Sequence, residues 1–156
     1  SLGVGGEWFP ITDEFSGDYL AVVNANVAGG KTDAFMKQTI KLTSQINRDG
    51  TAKNILIIER KNRGNQREEK WYNTINQNFI QIFTPKNTQL VSLTGNDEKE
   101  IKPALDYESS GYQTDPDLEA INDKNVFSAW FNIPPGEKKQ LKITTGVLLT
   151  LFAMLG

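Results

Sequence analysis

Apolar residues along this chain gather in short runs divided by turn residues, and most runs repeat every second position. Asp18-Tyr19-Leu20-Ala21-Val22-Val23-Asn24 is the first strand candidate, and Asn26 to Asp33, with Gly29 and Gly30, reads as the turn after it. Residues 35–46 admit two readings. Met36, Ile40, Leu42 and Ile46 fall on even positions, as in a strand with one buried face, while Phe35, Thr39, Leu42 and Ile46 trace a helical stripe. The following turn decides for the strand. Asn47-Arg48-Asp49-Gly50-Thr51 contains Asp-Gly, whose tolerance of positive φ suits a tight hairpin. With Asp49-Gly50 as a two-residue loop, Arg48 pairs with Thr51, Ser44 with Ile55, Leu42 with Ile57 and Ile40 with Glu59. That register sets one apolar face against another.

Further strands are predicted over residues 54–60, 79–83, 89–93, 126–133 and 140–144. A polar loop is predicted over 61–70. The breaks fall at Thr84-Pro85-Lys86-Asn87, at Gly95 and at Pro134-Pro135-Gly136-Glu137. Residues 96–125 read as a long acidic loop with one helical turn over Asp117 to Asp123. Strands between turn signals, without a long helix, predict an all-β fold: an antiparallel β-sandwich, immunoglobulin-like in general architecture. Its expected parts are an extended lead-in (1–17) pinned by Trp8 and Phe9, the sandwich (18–145), and an apolar tail or last strand (146–156). The tail is shorter than the roughly 20 apolar residues a spanning helix requires. It is expected either to complete a sheet or to mediate self-association.

A chain of 156 residues suits one domain. It contains no Cys and no His, which excludes disulfides, thiolate nucleophiles, Ser-His-Asp and Cys-His relays, and zinc sites of the usual nitrogen and sulfur kind. Carboxylates, lysine, tyrosine, hydroxyls and oxygen-bound Ca²⁺ or Mg²⁺ remain, and no cofactor is expected. The net charge of −2 gives no general affinity for nucleic acid. Charge is unevenly spread, however. Asn96 to Asp123 holds nine acidic residues against two lysines, and Arg48 to Lys70 holds seven basic against four acidic. Solvated loops are the ordinary explanation of such runs. The opening Ser1-Leu2-Gly3-Val4-Gly5-Gly6 has no signal-peptide pattern, and a start at Ser implies a piece of something longer.

Four motifs invite chemistry. Gly30-Lys31-Thr32 imitates a phosphate-binding loop, yet Ala25 stands where that motif needs its first Gly, and the segment behind it reads as a strand rather than a helix. Asp115, Asp117 and Glu119 are candidate Ca²⁺ ligands, although the EF-hand positions for Gly and Glu hold Ala120 and Val126. The numerous acids leave a carboxylate-pair hydrolase open, decided by the separation of two carboxyl groups. Arg60, Lys61, Arg63, Arg67 and Lys70 run into Trp71 and Tyr72, a combination able to hold nucleic acid or other polyanions by charge and stacking, diluted by Glu68 and Glu69. Trp130 and Phe131, adjacent on a strand, point to opposite faces.

Three segments together carry a resemblance. They are residues 18–33; the strand entering Thr84-Pro85-Lys86 with Leu90-Val91-Ser92-Leu93-Thr94-Gly95; and Val126 through Glu137 with its Pro-Pro-Gly turn. Over roughly residues 18–143 the chain resembles the C-terminal part of a bacterial surface-protein family known as domain of unknown function 4012. The resemblance implies a protein outside the cell, tethered by an upstream spanning helix, with no catalytic residues to transfer. It departs from the family after Ile143, in the apolar tail.

The expected function is therefore a noncatalytic extracellular structural or interaction module of a membrane-anchored bacterial surface protein. Its expected partners are a cell-wall component or another surface protein, not nucleic acid, with membrane contact only through the absent tether. The alternative is a carbohydrate-binding module stacking sugar on Trp71, Tyr72 or Tyr112, with a carboxylate-dependent hydrolase behind it.

Overall fold

The computed structural model describes residues 19–27, 30–98, 117–121 and 124–148. Eight strands form in order: β1 (Ala21–Asn26), β2 (Met36–Ile46), β3 (Thr51–Asn62), β4 (Asn78–Pro85), β5 (Thr88–Thr94), β6 (Asp117–Ile121), β7 (Lys124–Trp130) and β8 (Lys138–Leu148). They make two four-stranded antiparallel sheets, β1-β4-β7-β6 and β2-β3-β8-β5, packed as a β-sandwich. Two 3-10 turns, Lys31–Phe35 and Gly64–Gln66, are the only helical segments among the described residues, and neither could cross a membrane.

The β2–β3 hairpin forms, but in a different register from the predicted one. Leu42 pairs with Leu56 and Ile40 with Ile58, one residue away from the pairing that a two-residue loop imposes. The loop has three residues, Arg48-Asp49-Gly50, closed by Asn47 N–H donating to the Thr51 carbonyl at 2.8 Å. Gly50 sits at φ 81°, the left-handed position that ends three-residue hairpin loops. Both faces of β3 are apolar near its middle, so alternation within the hairpin could not choose between the registers. The neighbouring strand does. Leu141 and Ile143 of β8 lie opposite Ile58 and Leu56, so the even face of β3 becomes the core face.

Asp49 locks this turn. Its Oδ1 accepts from Thr51 Oγ1 at 2.6 Å and from Thr51 N–H at 3.0 Å. These bonds to the charged form, the hydroxyl's foremost, hold the Asp49 carboxyl below its ordinary value of 3.8. A depressed folded-state value means that the stabilisation is present above pH 3.8 and is lost as pH falls through the folded value. Carboxyl-carbon NMR titration should find Asp49 below 3.8, and Thr51→Ala should move it upward. A midpoint unchanged by Thr51→Ala would rule out the hydroxyl as the main cause.

The core lies between the sheets. Leu56, Ile58, Leu141 and Ile143 from one sheet meet Ile80, Ile82, Phe127 and Ala129 from the other, with Phe131 and Ile133 continuing past β7. Phe131 is fully buried. Trp130, pointing the opposite way, stacks edge-on with Phe79 at 5.3 Å between centroids, as adjacent positions on a strand require. Asn125 on β7 clamps the β4–β5 turn by donating to the carbonyls of Lys86 and Thr88 at 2.9 and 2.8 Å.

The acidic stretch is not loop throughout. Asp117–Ile121 is strand β6, paired with β7 through Leu118–Phe127 and Ala120–Asn125, where the sequence reading expects a helical turn. The segment alternates polar and apolar residues, and pairing to a neighbouring strand satisfies backbone groups that one helical turn would leave open. Residues 146–148 extend β8. The rest of the tail and the lead-in through residue 17 lie outside the described residues.

Candidate functional site

One end of the sandwich is fastened by buried asparagines. Asn62, at the end of β3, is fully buried and reaches three backbone segments at once. Its Nδ2 donates to the carbonyls of Thr74 and Ile133 at 2.9 and 3.0 Å, and its Oδ1 accepts from Gly64 N–H at 2.8 Å. Asn76, also fully buried, donates to Thr32 Oγ1 at 2.9 Å and to Asp33 Oδ1 at 2.8 Å. Thr32 Oγ1 accepts a second amide from Asn26 at 3.0 Å. Arg60, buried on the core face of β3, brings Nη2 to 3.8 Å from the same Asp33 oxygen. Burial pushes the Arg60 guanidinium below its ordinary value, and the Asp33 carboxylate pulls it partly back.

This scaffold holds an aromatic stack. Phe35, at the end of the first 3-10 turn, meets Tyr72 edge-on at 4.7 Å, and Tyr72 meets Trp71 at 6.0 Å. The Arg67 guanidinium lies over the Phe35 ring at 4.6 Å, a cation–π contact. Gly64 lets this loop close, because a Cβ there would stand 1.9 Å from the Tyr72 carbonyl oxygen. Lys31 N–H donates to the Trp71 carbonyl at 3.2 Å, tying the two loops together. Trp71 is left 56% exposed.

Beside this end lies an open cleft of about 390 Å³ lined by Ile75, Gln77, Asp97, Asn132, Pro134, Glu137 and Lys139. Asp97 has both oxygens engaged: Oδ1 takes Lys139 Nζ and Oδ2 takes the Asn132 N–H. Between the sheets, a crevice walled by Leu42, Leu56, Ile82 and Ile143 has a volume of about 20 Å³, enough for about one water.

The residues singled out from the sequence fall in different places. Trp71 and Tyr72 come together as neighbours in one stack, with Trp71 outward and Tyr72 half-buried. Tyr112 and Asp115 lie outside the described residues. Asp117 and Glu119 lie on β6, opposite Ser128 and Val126. No group of three metal-ligating side chains occurs among the described residues. Gly30-Lys31-Thr32 does not precede a helix that could present its N-terminus to phosphate; Lys31 begins a short 3-10 turn and Thr32 Oγ1 is taken by two asparagines. Phe35 and the asparagine clamps carried no signal in the sequence beyond ordinary strand and loop composition. No family model, curated protein or solved structure matches this chain.

Proposed function

We propose that this chain is a noncatalytic extracellular interaction module of a membrane-anchored bacterial surface protein, contacting a cell-wall component or another surface protein. The observation that carries this reading is the Trp71–Tyr72–Phe35–Arg67 stack, which holds a large exposed indole on a loop fastened by Asn62 and Gly64. Exposed tryptophans on ordered supports are the side chains on which binding energy concentrates. The extracellular setting and the upstream tether rest on the resemblance over residues 18–143.

A carbohydrate ligand is the second reading, favoured by the exposure of Trp71. The planes of Trp71 and Tyr72 meet at 66°, so a sugar would rest on the indole alone rather than on a continuous strip. Binding to purified cell walls, to surface-protein extracts and to a glycan array separates the two readings. Trp71→Ala should weaken the binding observed by at least about tenfold, the mark of a strong interface residue. Unchanged binding to all three would remove Trp71 from the function. Glycan binding abolished by the substitution would favour the sugar.

A further inference from the structure

The strand register gathers lysines that are scattered in the sequence onto one surface. Odd positions of β2 and β3 and even positions of β8 face away from the core, because Leu42, Leu56 and Ile143, and likewise Ile40, Ile58 and Leu141, align on the inner side. The outer face therefore carries Lys37, Lys41, Lys53, Lys61, Lys138 and Lys142, all exposed. Glu59 is its one acidic residue. The whole chain has 17 basic and 19 acidic residues, so outside this face the acids outnumber the bases by 18 to 11. The basic face is thus opposite in sign to the rest of the molecule.

Lys37, Lys61 and Lys138 stand directly opposite one another on three neighbouring strands. Directly opposed side chains on one sheet face are about 5 Å apart at Cβ, and like charges so placed destabilise the sheet. One ion pair, Lys138 Nζ to Glu59 at 3.0 Å, offsets part of this. Lysines on an edge strand also guard against edge-to-edge pairing, which accounts for Lys37 and Lys41 on β2. It does not account for Lys53, Lys61 and Lys142, which are paired on both sides.

We propose that the outer face of the β2-β3-β8-β5 sheet docks on an anionic phospholipid surface. The lysines spread over three strands and along most of their length, a two-dimensional array that a lipid surface can engage at once and a single polymer thread cannot. The other outward residues of these three strands include Thr39, Thr43, Ile55, Ile57 and Gln140, with no aromatic ring on which bases or sugars would stack. They include no arginine fork either. Lysine heads act as point charges toward phosphate. At physiological salt, interactions are screened over about 8 Å, so the face acts through its own charge and not through the net charge of the chain. This contact uses a different surface from Trp71 and adds to a tether a second, peripheral attachment.

The test is vesicle co-sedimentation of the full chain. Phosphatidylcholine vesicles containing about one-third phosphatidylglycerol should bind it at low salt, pure phosphatidylcholine vesicles should not, and about 1 M salt should release it. Each lysine near such a surface contributes about fivefold in affinity, so Lys61→Gln/Lys138→Gln should lose roughly 30-fold. Lys31→Gln/Lys86→Gln, which changes net charge equally off this face, should lose little. Lys41→Gln/Lys142→Gln gives the same reading should the first pair fold poorly, and circular dichroism monitors the fold of each. Equal losses from on-face and off-face pairs, binding that survives both on-face pairs, or capture by soluble polyphosphate without vesicle binding would each overturn the proposal.

Discussion

Phe131→Ala is expected to lower folding stability by about 4 kcal/mol, the range for deleting a fully buried aromatic ring. Phe131 follows β7, packs among Ile58, Ile80 and Leu141, and joins its N–H to the Asn78 carbonyl at 2.8 Å. Its ring also lies 5.5 Å below the Lys139 ammonium. Truncation loses the transfer energy of the ring and leaves a void that two sheets fixed by backbone bonds cannot close. Against a total of about 5–15 kcal/mol for a typical domain, this is a large fraction. Urea unfolding should show a lower midpoint with an unchanged slope, and Phe131→Leu should recover most of the loss. A loss under about 1 kcal/mol from the alanine variant would place the ring outside the packed core.

Asn62→Ala is expected to cost about 3 kcal/mol, by a different route. The Ile133 carbonyl keeps its bond from Asn76 N–H, but the Gly64 N–H and Thr74 carbonyl lose the partner that the side chain supplied. Buried groups left without a partner carry about 1–3 kcal/mol each. Asn62→Asp should also destabilise, because a carboxylate retains the acceptor for Gly64 and loses both donors. Hydrogen exchange at the Gly64 amide distinguishes this origin from general loosening. It should accelerate strongly in Asn62→Ala and stay slow in Phe131→Leu. A Gly64 amide equally protected in wild type and Asn62→Ala would refute the clamp.

The two substitutions also divide what was readable in the chain from what was not. Phe131 could be assigned to one face of a strand by alternation alone, as could the strands around Ile80, Leu90 and Ile143, because burying one face imposes a period of two. The hairpin register could not, since Ile55, Leu56, Ile57 and Ile58 leave both faces apolar and the choice is made by β8, far along the chain. Strand β6 was hidden by its acidic composition, although Asp117-Leu118-Glu119-Ala120 alternates. The asparagine clamps were invisible because Asn is common in turns. Which Asn turns inward depends on backbone groups contributed by segments such as 133 and 74, distant in sequence. Trp71 and Tyr72 were recognisable as neighbours, whereas their support by Phe35 and Arg67 required the tertiary fold.

The position of β8 governs how the molecule can be made. It is the last described strand in the chain yet sits between β3 and β5, which do not pair with each other. During synthesis the β2–β3 hairpin can form early, but β5 has no partner in its sheet until β8 emerges from the ribosome. Leu141 and Ile143 arrive with that strand, and the apolar side chains of β3, β4 and β7 stay incompletely covered until then. Closure of the core therefore waits for residues 138–148, and a chain cut before residue 138 leaves the apolar faces of β3, β4 and β7 without their β8 cover.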